Sequence, residues 1–376
     1  MAFMLVTLVA GLAHGAPFVP KADSEVIETL RERPLSDEER AWRGLRAQAR
    51  QHPNDAALAT RLARQAIELS RRDGDPRWMG QAQGALQAWW SLPAPPTPIR
   101  LLRATILQNQ HDFAPALRDL EAVLRQDRYN AQAWLTRAAI LQVTGRYSEA
   151  KTSCDALIGI GASWHGQACS LELSSLQGQG TQAWRSLQAL IRQAPPDLYP
   201  WLNLIQAEMA ERLGRRDEAQ ALYQRLLITA PDAYTEGAYA DFLLDQGQAH
   251  EVIKRLEQQQ RNDGLLLRLA LAYAQTQDAR LDATVQALRA RFNAARERGD
   301  SVHRREEARF ALHLLKRPDT ALQLAQANWA VQKEPADARI LLEAARAARQ
   351  DAAARPVRDF IAQAGWSDQR LKPWLQ

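Results

Sequence analysis

The sequence predicts an all-α chain built from antiparallel helix pairs, and three observations carry that prediction. Small residues recur at Ala82, Ala116, Ala150, Ala183, Ala219, Val252, Ala283, Ala321 and Ala354, 31 to 38 residues apart. A period of this size marks tandem supersecondary units. Apolar residues follow four and seven positions later, as in Leu120/Val123, Cys154/Leu157 and Tyr223/Leu226, which puts them on one face of a helix. A second helical stripe precedes each small residue, as in Trp134, Ala138 and Leu141, with a turn such as Thr144-Gly145-Arg146 between the two.

Taken in order, the chain opens with an apolar run from Phe3 to Leu12, followed by Ala13 and Gly15 at −3 and −1 of a cleavage site before Ala16. No Lys or Arg precedes the run. Residues 1–15 are therefore expected to be a signal peptide and 16–35 a linker. Ser36 with Glu39 forms a capping box that opens a helix through about Gln51, and Asn54 or Asp55 caps the next. Residues 36–90 read as an N-terminal helical module, and Ser-Leu-Pro-Ala-Pro-Pro-Thr-Pro at 91–98 as an extended connection. Well-formed repeats are expected over 99–263, degenerate ones over 264–366, and a tail over 367–376. Gly145, Gly214 and Gly247 permit the turns inside units, while Pro195 and Pro231 end one unit and admit the next.

The best unit runs Trp134-x3-Ala138-x2-Leu141-x3-Gly145-x-Tyr147-x2-Ala150, and another ends Leu213-Gly214 with Ala219, Tyr223 and Pro231. This pattern resembles the tetratricopeptide repeat (TPR). The resemblance covers most of the chain and implies a right-handed superhelix of antiparallel helix pairs, a TPR-like α-solenoid. Its concave wall would be built from the first helix of each pair.

The resemblance also implies which side chains point into the groove. Of those positions, Gln108, Asn109, Gln132, Gln142 and His165 make a neutral stretch. Glu172, Glu208, Glu211, Asp241 and Asp245, with Arg212, make an acidic one beside Trp201 and Tyr234. Family members that clamp a C-terminal carboxylate carry Lys and Asn at set groove positions, and this chain has Leu101, Leu135, Ala168, Leu204 and Gly237 where that Lys would stand. A carboxylate wall with flat aromatics suits a basic or polar extended peptide. If these acids face solvent, reversing their charge costs within about ±0.5 kcal/mol each.

Other chemistry lacks residues. No His-Glu-x-x-His, Gly-rich phosphate loop or nucleophile elbow occurs, so no catalytic residue, metal site or cofactor is expected. The balance of 48 Lys+Arg against 43 Asp+Glu leaves +5, spread along helices among acids, which argues against a nucleic-acid interface. After the first dozen residues no apolar run approaches the ~20 that span a bilayer. Two cysteines exclude a disulfide-dense scaffold, yet Cys154 and Cys169 come level across a helix turn and could bridge.

The expectation is a non-catalytic scaffold that binds a protein or peptide, periplasmic or secreted, serving a bacterial cell-envelope system. An intracellular adaptor with a mis-set start is the alternative. A glycan- or nucleic-acid-binding repeat protein is a weaker one.

Overall fold

The computed structural model describes residues 20, 22, 24–26, 36–299 and 302–375. The signal-peptide expectation and most of the linker lie outside them. The chain divides into two units, Met1–Gly44 and Leu45–Gln376. Among the described residues there is no strand.

The helix α1 (Asp37–Gln51) starts where the capping box demands: Ser36 N–H donates to Glu39 Oε2 at 2.8 Å and Glu39 N–H to Ser36 Oγ at 3.1 Å. Asp55 caps α2 (Ala56–Asp73) by accepting from the Ala57 and Leu58 amides. Pairs then follow: α2 with α3 (Pro76–Ala85), succeeded by the short α4 (Gln87–Trp90), then α5 (Thr97–Asn109) with α6 (Phe113–Gln126). Next come α7 (Ala131–Val143) with α8 (Tyr147–Gly159), α9 (Ser163–Ser174) with α10 (Gly180–Ile191), and α11 (Tyr199–Leu213) with α12 (Arg216–Thr229). After α13 (Ala233–Asp245) with α14 (Ala249–Leu256), the later units use α15 (Asp263–Thr276), α16 (Leu281–Glu297), α17 (Arg304–Arg309), α18 (Pro318–Val331), α19 (Pro335–Ala347) and α20 (Arg355–Ala364). Asn130, Asp232 and Asn262 cap α7, α13 and α15, each accepting a backbone N–H three residues on.

Eight of the nine periodic small residues are buried, Ala82, Ala116, Ala150, Ala219, Val252 and Ala321 completely. They let paired helices approach closely. Ala283 is the exception and is exposed. Helix α16 turns Leu288, Phe292 and Ala295 inward, with Leu281 and Val285 partly buried against the core. The crossing position there is therefore Leu281, and the search for a small residue landed two positions late. The turn glycines Gly145, Gly214 and Gly247 have φ of +76°, +72° and +70°.

Within Leu45–Gln376 the coil closes on itself. Helix α2 lies against both α5 and α13, and Asn262 Nδ2 donates to Gly74 O at 2.9 Å across 188 positions. The Lys333 amide donates to Val143 O at 2.6 Å, the Ser367 amide to Leu176 O at 3.1 Å and the Gln369 amide to Arg212 O at 3.0 Å. One hydrophobic core accordingly joins Leu141, Cys154 and Leu173 to Leu341, Val357 and Trp366. Burying an aliphatic side chain of this size is worth about 1.5–3 kcal/mol, so this seam holds the late units onto the early ones. Arg103 fixes the Pro-rich connection to α5, donating to the carbonyls of Trp90 and Leu92 at 2.7 and 2.9 Å and to Asp119 at 2.7 Å.

Candidate functional site

Closure turns the groove into a chamber of about 430 Å³. Its first wall comes from the ends of α7, α9, α11 and α13, which supply Gln142, Glu172, Glu208, Glu211, Arg212, Tyr234, Asp241 and Asp245. These are eight of the groove residues expected from sequence. Gln108, Asn109, Gln132, His165 and Trp201 do not line it. His165 stacks on Trp201 at 5.2 Å between ring centroids, further along the same helices.

The opposite wall comes from the chain's own late units and tail. Asp241 is held by Arg268 of α15 at 2.5 Å and by Arg309 of α17 at 2.7 Å. Asp245 receives Arg339 of α19 at two oxygens, and Arg339 also reaches Glu343 at 2.7 Å. Arg370 of the tail meets Glu211 at 2.5 Å while it is clamped by Asp368. Arg305 serves Glu334 at 2.8 Å and Asp337 at 3.3 Å. The expectation that the groove acids face solvent is thereby corrected: three of the five are ion-paired to arginines. The Arg309–Asp241 and Arg339–Asp245 contacts are bidentate, the strong class of charge-assisted bonds, while Arg370 reaches Glu211 through one nitrogen.

The repeat pattern misses these arginines because Arg268, Arg305, Arg309 and Arg339 sit in degenerate units and Arg370 in the tail. A signal existed for some. Arg305 is the second residue of α17, and Arg339 and Glu343 are the fifth and ninth of α19, which are groove positions under the repeat register. Arg370 lies beyond the repeats and carried none.

Two acids form no ion pair among the described residues. Glu172 accepts from Gln142 Nε2 at 2.9 Å, and Glu208 from the Tyr234 hydroxyl at 2.7 Å. Burial, then the Glu172 charge, push Glu208 above the ordinary carboxylate range. Burial drives Glu211 to about 7, with Arg370 opposing and Glu208, Asp241 and Asp245 reinforcing. Burial would also raise Asp241, but the Arg268 and Arg309 guanidiniums outweigh it and hold that carboxyl well below the usual range. The Glu208 charge, more than burial, lifts the Tyr234 phenol well above its ordinary value. Tyr234 nevertheless exposes 62% of its surface while lining the chamber, so the chamber is open to water.

Nothing among the described residues groups three or more His, Cys, Asp or Glu side chains where they could hold a metal ion. No described helix is long and apolar enough to cross a membrane. Outside the chamber, Cys154 in the middle of α8 and Cys169 in α9 are joined as a disulfide, with Cα atoms 5.6 Å apart.

No family model matches the sequence, and no curated protein matches it. Solved structures with similar folds include the Cut9–Hcn1 hetero-tetramer of the APC/C, at 13% identity and a TM-score of 0.41, covering 87% of this chain and 77% of that one. The human IFIT1 dimer with PPP-AAAA aligns at 12% identity and a TM-score of 0.46, covering 87% of this chain and 86% of that one. The TPR domain of P58(IPK) aligns at 13% identity and a TM-score of 0.21, covering 77% of this chain and 99% of that one. The chain itself is a TPR-like helical solenoid, as its tandem helix pairs and crossing residues establish.

Proposed function

We propose that this protein is a non-catalytic binding scaffold that is exported and takes a basic, extended segment of a protein partner, in the service of a bacterial cell envelope. One observation carries the binding part. The acidic helix ends already receive a stretch of chain of that kind: the Ser367 and Gln369 amides donate to carbonyls of the groove helices, and Arg370 between Asp368 and Glu211 supplies the charge. A partner segment with the same features would exchange with this one. Backbone bonds give such a contact affinity, and the carboxylates give it sign. The Cys154–Cys169 disulfide supports an oxidising compartment, where such bridges persist.

Fluorescence anisotropy with labelled decapeptides, one arginine-rich and one acidic, tests the binding. The basic peptide should bind, and more tightly to the Arg370→Ala variant, which vacates Glu211. Failure of the basic peptide with both proteins, or preference for the acidic one, would overturn the reading. Export is read separately. The envelope fraction should hold a chain that begins at Ala16 and shows no free thiol before reduction. A full-length chain with two reactive thiols would place it inside the cell.

A further inference from the structure

The chamber holds more unmet polar capacity than a structural ion-pair network needs. Tyr223 is completely buried and lines it, and among the described residues its hydroxyl has no hydrogen-bond partner. Arg212 is 6% exposed and also lines it; its Nε donates to Ser175 Oγ at 3.3 Å, while Nη2 has no partner among the described residues. A buried donor left unmet costs about 1–3 kcal/mol, so two at one place are expected only where something else answers them. Beside them stand Glu172 and Glu208, which form no ion pair among the described residues, although the Arg212 charge acts on Glu208 from nearby.

The open groups are of both signs. A free anion would satisfy Arg212 Nη2 but would enter among Glu172, Glu208 and Glu211. A simple cation would satisfy the two acids and leave the guanidinium nitrogen unmet. A small molecule carrying an ammonium and a carboxylate answers both at once and adds no net charge. The exposed ring of Tyr234 offers the ammonium an aromatic face as well. A chamber of about 430 Å³ lies within the range of small-molecule sites and is too small for a folded partner.

We propose that the chamber is a binding site for a free α-amino acid, its ammonium held between Glu172 and Glu208 beside Tyr234 and its carboxylate by Arg212 Nη2 and the Tyr223 hydroxyl. This site shares the chamber with the tail segment described above, whose Asp368 and Arg370 also line it, but it uses other groups, so the two stand or fall separately.

Thermal unfolding of the full chain with millimolar free L-amino acids, one at a time, is the first test. A ligand that binds only the folded state raises the melting temperature by an amount that grows with the logarithm of its concentration once that exceeds Kd. At least one amino acid should do so, while methylamine and acetate, which carry one charge each, should not. Calorimetry then measures that amino acid on variants. Glu208→Gln and Tyr223→Phe should each weaken it about tenfold, the scale of one charge-assisted hydrogen bond. Tyr223→Phe should leave the unliganded protein at least as stable, because it deletes a buried hydroxyl without a partner. Asp155→Asn, on the outer face of α8, should leave affinity unchanged. No response to any amino acid would mean that water alone satisfies these atoms. Methylamine acting as strongly as the amino acid, or unchanged affinity in Tyr223→Phe, would equally overturn the proposal.

Discussion

The indole Nε1 of Trp366 donates to the hydroxyl oxygen of Tyr147 at 2.8 Å, joining residues 219 positions apart. Both side chains are more than nine-tenths buried. They lie in the core that binds the late units to the early ones, with Phe360 packed against both rings. The bond is a latch on the closure that makes the chamber.

Tyr147→Phe should therefore destabilise the protein by about 1–3 kcal/mol, because the ring stays and the buried indole N–H loses its acceptor. Adding Trp366→Phe should cost less than it does alone, since the stranded donor leaves with it. Urea unfolding of both single variants and the double variant measures the coupling. Additive losses would show that the latch contributes nothing beyond packing.

A second expectation concerns Asp241. Its carboxylate compensates Arg268 and Arg309, both at least four-fifths buried. Asp241→Asn leaves two guanidiniums facing one another and should cost about 2–4 kcal/mol. Asp155→Asn breaks the Lys151–Asp155 pair, whose side chains are both 52% exposed, and should cost at most about 0.5 kcal/mol. The contrast is read by chemical denaturation at one pH. Similar losses from the two would return Asp241 to the solvated wall that the sequence suggested.

That divergence shows what was legible and what was not. Helix pairing, the turn glycines, the Ser36–Glu39 box and eight of the nine crossing positions follow from local periodicity and local caps, which a sequence displays directly. Ala283 failed because α16 crosses its neighbour on Leu281, and a pattern built on small residues cannot see a large one. The groove residues were placed by repeat register, and eight of them do line one space. Their partners were invisible, because closure brings Arg309 to Asp241 and Arg370 to Glu211 across 68 and 159 positions. No local pattern encodes a contact at that separation. The disulfide partners were legible only because their helices are consecutive.

Stability should also respond to pH in the range where Glu211 titrates. Its carboxyl is raised in the folded chain to about 7, while in an unfolded chain it stands near 4.3. The folded state thus binds the extra proton, and the stabilisation is complete below about pH 4.3 and lost as pH rises through about 7. Asp241 has the opposite sign: its support is present above about pH 4 and is lost as acid reaches its depressed value. The melting temperature should therefore be higher at pH 5.5 than at pH 8, by an amount worth about 1–3 kcal/mol. Asp337, which burial also raises to about 7, adds to the slope with the same sign, so Glu211→Gln should reduce it without abolishing it. A melting temperature that climbs from pH 5.5 to 8 would contradict the assignment.

The turn glycines allow the closure to be tested at the backbone. Gly145 and Gly247 both adopt left-handed φ, so alanine at either pays the same conformational penalty of about 1–2 kcal/mol. Around Gly247 nothing lies within 4 Å of where a Cβ would stand. At Gly145 the Cβ would meet Phe360 Cζ at 2.7 Å and Cε2 at 2.8 Å, because α20 rests on this turn. Gly145→Ala should accordingly cost about 1–3 kcal/mol more than Gly247→Ala, the usual toll of overpacking. Phe360→Leu, in the Gly145→Ala background, should recover part of that excess, although in the parent chain it loses packing against Trp366 and Trp329. Equal losses at the two glycines would mean that α20 yields freely at the turn, and that the late units are seated by the Tyr147–Trp366 core alone.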